Sequence, residues 1–239
     1  MDVPETVRAA LSDVPVDGRV CLEAGAGVGN TTAGLLDAGA ATVYAVTNDR
    51  AHARTVRRRI ERGHDRLRVL HSDLRSLPIA DGSVELITAH GLCNVLPPTD
   101  LDRVVTELTR VATGDCRLVV DDYGPLPDDA AVGELFGLEN AAASAVTGRP
   151  ALSFYPSQAL RRWFEGTGWA FERERTLLDP VPWTRSHLDA HAGVIEAFAA
   201  AEESAHLRAI HERATRTVEE IGSESVGRMY SLSFVLSVD

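Results

Sequence analysis

An α/β fold with a seven-stranded, mostly parallel sheet covered by helices on both faces is predicted by three features of the chain. Short apolar runs alternate with stretches of helical period. Most of those runs are apolar at consecutive positions, the pattern of strands buried on both faces. The first run ends in three closely spaced glycines and a helix start, VCLEAGAGVGNTT, Val20 to Thr32.

Each element follows in order. A short amphipathic helix, Pro4 to Leu11, precedes a turn at Asp17-Gly18 and the first strand, RVCLEAG. The glycine loop leads into a helix over about Asn30 to Ala38. A second strand, Ala41 to Thr47, an arginine-rich helix from about Asp49 to Arg62 and a third strand, Leu67 to Asp73, complete a β-α-β-α-β series. Val84 to His90 reads as the fourth strand, Thr99 to Ala112 as a helix and Cys116 to Tyr123 as the fifth strand. The pattern then loosens into a helix over about Ala130 to Ala145, followed by another helix, a stop at Gly168 and a sixth strand. One long helical stretch, Ser186 to Ile221, precedes the last strand, MYSLSFVLSVD. The chain reads as one domain, 1–239, with segments 124–155 and 180–228 inserted where they would cover a ligand crevice at the carboxyl edge of the sheet.

Composition narrows the possibilities. With 239 residues the chain can bury a sizeable core. No apolar run approaches the about 18 residues of a membrane span, and MDVPETVRAALSDV has neither the basic nor the apolar region of a secretory signal, so a cytoplasmic protein is expected. Cys21, Cys93 and Cys116 are widely spaced and lack a CxxC pair, which argues against a disulfide framework or a zinc site. The net charge is -11, and every basic residue outside histidine is arginine. Acid excess without lysine points to a salt-adapted source such as a haloarchaeon, because a highly charged surface keeps a protein soluble in brine. Arg50 to Arg68 contains eight arginines in nineteen residues, but Glu61 and Asp65 interleave with them. This favours a solvated helix face over a nucleic-acid footprint.

The glycine loop discriminates among ligands. Gly25, Gly27 and Gly29 are spaced GxGxG, and Asn30 stands where a dinucleotide fingerprint has its third glycine. No GK[ST] follows, which removes a Walker loop. Glu23, just before the loop, would repel a pyrophosphate but suits a cationic ligand. S-adenosylmethionine, with its sulfonium and ammonium charges, is such a ligand.

EAGAGVG resembles the first motif of class I S-adenosylmethionine-dependent methyltransferases, whose fold is Rossmann-like. HSDLRSLPIADGSVELITA, His71 to Ala89, resembles the third and fourth motifs of the subgroup typified by quinone-biosynthesis C-methyltransferases, methyltransferase type 11. TELTRVATGDCRLVVDD, Thr106 to Asp122, is similar to that subgroup's helix, turn and fifth strand. The resemblance covers roughly Arg19 to Arg175 plus the terminal strand. It implies that Glu23, Gly25 and Gly27 border the aminocarboxylate end of the cofactor. Asp73 would accept from the adenine amino group with Leu74 against the ring, and His90 and Gly91 would lie near the methyl group. Where the family usually places an acid for the ribose hydroxyls this chain has Thr47, followed by Asn48 and Asp49, so the expected ribose contact is Asn48, or Asp49 with a shift of one or two residues.

Methyl transfer is an in-line displacement, to which alignment and exclusion of water contribute most. An oxygen or carbon acceptor would also need a proton removed. His90, Asp121, Asp122 and Tyr123 are candidates for that role, and His90 comes first by position. Asp121-Asp122 lacks a third carboxylate for a divalent cation. His187 and His191 lie one helical turn apart but lack the Glu of HExxH, so no metal site is expected, and a polar helix face or acceptor contacts in a lid are the better readings. Phe136, Phe154, Tyr155, Trp183 and Phe198 could line an apolar acceptor pocket. A small-molecule methyltransferase is the first functional expectation. An RNA or protein N-methyltransferase is the second, because LCNVLPP, Leu92 to Pro98, partly resembles an Asn-Pro-Pro-Tyr motif. A non-catalytic protein that binds S-adenosylmethionine is the third.

Overall fold

The first five apolar runs form β1 (Val20–Ala24), β2 (Thr42–Thr47), β3 (Leu67–His71), β4 (Val84–His90) and β5 (Ala112–Tyr123), all mutually parallel. The computed structural model describes residues 3–60, 65–202 and 204–237. Two later strands, β6 (Trp169–Leu178) and β9 (Met229–Leu236), extend the sheet to the order β3-β2-β1-β4-β5-β9-β6. β9 runs antiparallel to both of its neighbours. This is the expected seven-stranded, mostly parallel, Rossmann-like sheet.

Alternation along each strand explains why the runs are apolar throughout. Cys21, Leu86 and Val119 join a core with α1 (Glu5–Leu11), α2 (Asn30–Asp37) and α3 (Arg50–Ile60) on one face. Their sequence neighbours Leu22, Ile87 and Leu118 join a second core with α4 (Pro98–Val111) and α6 (Ser157–Glu165) on the other. Successive side chains point to opposite faces, so a strand covered on both sides must be apolar at every position. The arginine-rich helix α3 turns Ala53, Val56 and Ile60 inward. Arg59 reaches Val28 O at 2.7 Å in the glycine loop. The expected end of that helix, together with Glu61, falls at positions 61–64, outside the described residues.

A third core lies beyond the carboxyl ends of β5 and β6. It joins α5 (Val132–Thr147), α7 (Arg185–Ala201) and α8 (Ala205–Ile221) through Phe136, Leu188, Ile195, Leu207 and Val218. Two two-residue strands, β7 (Pro182–Trp183) and β8 (Glu224–Ser225), pair antiparallel beside it. The segments 124–155 and 180–228 thus come together as one helical cap.

Two expectations are corrected. The stretch Ser186–Ile221 is two helices, because Glu202 is extended (φ -132°, ψ 126°) and Ser204 starts α8. One helix of that length would run about 54 Å, too far for its apolar stripe to stay on the cap, whereas the break folds α8 back onto α7 and α5. The fifth strand begins at Ala112 rather than Cys116, since Thr113-Gly114-Asp115 is absorbed as a shift of register against β4.

Candidate active site

The corner after β1 places an acid under a glycine cradle. Gly25, Gly27 and Gly29 have φ of 81°, 48° and 86°, values that L side chains rarely adopt. A Cβ on Gly29 would also lie 2.9 Å from Ile60 Cδ1. The loop therefore packs on α3 at Gly29 and against Leu92 Cδ1 at Gly25, whereas a Cβ on Gly27 would come no nearer than 4.0 Å to Gly25 O. Glu23 is 2% exposed. It accepts hydrogen bonds from Thr31 and Thr32 at the start of α2, but burial dominates and pushes its carboxyl up to about 7.

Across the sheet, register brings two further acids to the same edge. β4 pairs His90 with Asp121 of β5, and His90 Nδ1 lies 3.0 Å from Asp121 Oδ2. Asp121 Oδ1 is buried without a hydrogen-bond partner among the described residues. Burial opposes a charge on His90, yet the Asp121 hydrogen bond and the charges of Asp121, Glu23 and Asp122 outweigh it and raise the imidazole above its ordinary value. Asp122 accepts from the backbone N–H of Asn94 and Tyr123, at 3.1 and 3.0 Å, while burial pushes it up to about 7. One site thus holds three buried acids and one imidazole, a surplus of acidic groups whose charged forms a cationic ligand would favour.

The remaining sequence-predicted residues lie nearby in chain order but differ in setting. Asn48 is exposed, and its carbonyl faces His71 Nε2 at 3.1 Å. Thr47 is buried and accepts from Asp49 N, while Asp49 caps α3 through Ala51 N and His52 N. Asp73 holds Arg75 at 2.6 Å and so remains well ionised. Leu74 is buried in the core beside Leu77 and Leu92. The three cysteines are buried and free, and burial raises all three thiols, which leaves them packing roles. No group of three or more metal-ligating side chains occurs among the described residues. No helix described is long and apolar enough to cross a membrane.

Beside His90 a pocket of about 230 Å³ opens under the cap. Gly91, Asn94 and Tyr123 form its sheet side, and Phe154, Trp183, His187 and His191 form its cap side. Trp183 meets Tyr123 with ring centroids 5.2 Å apart and Phe136 at 5.1 Å. Of the other aromatic candidates, Tyr155 packs into the sheet core and Phe198 against the cap core. Asn94 is fully engaged: its amide donates to Ser153 O at 2.8 Å and accepts from Tyr123 N at 3.1 Å. Sequence reasoning missed Glu139, which is 3% exposed on α5 and faces His191 Nδ1 at 2.6 Å. Its only sequence signal is an acid at a helix position whose neighbours are apolar.

Residues 21–114 match the family model for a methyltransferase domain. Over 123 residues it is 33% identical to a demethylmenaquinone methyltransferase of Clavibacter sepedonicus, a match that covers 51% of this chain and 47% of that protein. The chain thus spans about half the length of the curated relative it matches. Among solved structures, a geranyl diphosphate methyltransferase in complex with S-adenosylmethionine superposes with a TM-score of 0.59 at 16% identity, over 96% of this chain and 84% of that one. A cyclopropane synthase of Mycobacterium tuberculosis gives a TM-score of 0.63 at 15% identity, over 96% and 82%. At such identities the likeness establishes the methyltransferase fold. That fold carries more than one chemistry, so the reaction has to be argued from the site.

Proposed function

We propose that the whole chain is one S-adenosylmethionine-dependent methyltransferase unit that acts on a small-molecule acceptor. The observation that carries this reading is the surplus of buried acid at a glycine cradle that opens beside an apolar pocket. The cofactor's methyl-bearing sulfonium would supply an alkyl group already activated for displacement. Glu23 and the backbone at Gly25 and Gly27 would hold its cationic amino-acid end, with Asn48, Asp73 and Leu74 placed for the nucleoside. These residues fit such a group, since a bound cation would favour the ionised form of buried Glu23, and Asp121 Oδ1 is left without a hydrogen-bond partner among the described residues.

The protein's own work is positioning and proton handling. Tyr123 and Trp183 offer flat walls to an apolar acceptor, and α5 and α7 screen it from water. Asp121 fixes the His90 ring through Nδ1, leaving Nε2 to take a proton from an acceptor hydroxyl or acidic carbon. An RNA or protein acceptor fits less well. Asn94, which would hold a planar amino group, spends its amide on Ser153 and Tyr123. A small acceptor agrees with the named substrate class of the Clavibacter relative.

Calorimetry with S-adenosylmethionine, then incubation of the protein with methyl-labelled cofactor and fractionated lysate, tests the proposal. Binding and label in the small-molecule fraction are expected. Label in RNA or protein would move the assignment to the second class, and binding without transfer would make the chain a sensor.

A further inference from the structure

His191, which lines the pocket under the cap, belongs to a second histidine–carboxylate pair, apart from His90 and Asp121 at the sheet edge. Glu139 sits on α5 among Leu135, Phe136 and Ala142, where an ionised carboxylate is costly unless paired. Its partner is His191, whose Nδ1 lies 2.6 Å from Oε2, the separation of a charge-assisted bond. Because a carboxylate only accepts, the Nδ1 proton belongs to that bond. In the neutral ring Nε2 is then a lone-pair acceptor, and it has no hydrogen-bond partner among the described residues. Phe136 meets the imidazole at 4.7 Å and 63°, and Trp183 at 6.3 Å, so the ring is held on its sides as well as through its nitrogen. His191 also lines the pocket.

Of the other polar linings, Asn94 is spent within the fold, His187 uses Nδ1 in the capping box of α7, and Tyr123 presents a hydroxyl that is free to rotate. A ligand on the cap side of this apolar space therefore meets His191 Nε2 as its pre-oriented acceptor atom, and a site of that kind discriminates strongly for a matching O–H.

We propose that His191 is the acceptor-recognition residue and that Glu139 positions it, selecting a flat, largely apolar molecule bearing a hydroxyl group whose O–H donates to His191 Nε2. Calling that molecule the methyl acceptor rests on the methyltransferase reading. The pocket's selectivity does not.

The test compares two probes by calorimetry on the full chain, 2-naphthol and 2-methoxynaphthalene, which differ in the donated proton. Wild type should bind 2-naphthol about tenfold more tightly, the worth of one desolvated hydrogen bond. His191→Phe, which keeps a ring against Phe136 and Trp183, should bring the ratio close to one and leave 2-methoxynaphthalene affinity unchanged. Glu139→Gln should lower the ratio by about threefold through the weaker, uncharged partner of Nδ1; it carries the test if the first variant does not fold. A purely structural pair would weaken both probes together and leave the ratio intact. Equal affinities in wild type, no binding of either probe, or a ratio that survives in the folded variants would overturn the proposal. S-adenosylmethionine binding is measured on the same preparations. A chain that binds the cofactor without selecting 2-naphthol keeps the transferase reading and loses this one, and the converse result does the reverse.

Discussion

Glu23 and Asp122 tie the chemistry of the site to pH. Burial pushes both up to about 7, from ordinary values of 4.5 and 3.8. Between those limits the folded chain binds more protons than the unfolded one, so stability falls as pH rises toward 7 and then levels. His90, raised above its ordinary 6.5, acts in the same direction: its contribution is complete below that value and is lost as pH rises through the folded one. Urea midpoints of the ligand-free chain should decline from pH 5 to pH 8, and a rising midpoint would contradict this assignment. S-adenosylmethionine binding should run the other way, tightening as Glu23 ionises. Glu23→Gln should weaken that binding by about 10- to 100-fold, as expected for a lost charge-assisted hydrogen bond, while raising stability at pH 8. At this scale Glu23 was legible in the sequence because its place before the glycines is local. Glu139 was not, because its partner lies 52 positions away and only packing brings α5 and α7 together.

Among the elements, the first four parallel strands were read to within two residues, since burial on both faces leaves an unbroken apolar signature, while the fifth starts at Ala112, ahead of the expected Cys116. The cap was read less well. Ser204 marks a helix start, but the residues around the break are small or polar and compatible with continued helix. What ends α7 is the gain from folding α8 back over α5. The link between sheet and helix at β6 offers a direct test of element packing. Trp169 is 1% exposed, and its Nε1 donates to Thr109 Oγ1 of α4 at 3.0 Å. Trp169→Ala should cost about 3–5 kcal/mol, read as a lower urea midpoint with an unchanged slope. Cofactor affinity of the folded variant should stay as in wild type, since the residue lies on the far edge of the sheet from the glycine corner. A loss of affinity at temperatures where the variant is folded would show that the edge strands couple to the site.

For the molecule as a whole, a net charge of -11 puts self-repulsion into the stability balance. Many arginines answer it locally: Arg173 holds Asp13, Arg213 holds Glu134 and Arg228 holds Glu174. These pairs are at least partly exposed, so each contributes little and the unpaired acids dominate. Raising KCl from 0.1 to about 2 M shortens the screening length from about 10 Å to under 3 Å. The melting temperature should therefore rise with salt, and a flat profile would remove the salt-adapted reading. By itself the sequence determined the sheet and its parallel strands and raised the expectation of a cationic ligand at the glycine corner, because periodicity and the residues beside a loop are local properties. Only the tertiary structure decided what faces that corner: the pairing of His90 with Asp121, the three-helix cap, and the His191–Glu139 pair beside the pocket. Those depend on contacts between segments far apart in the chain, and such contacts are set by packing.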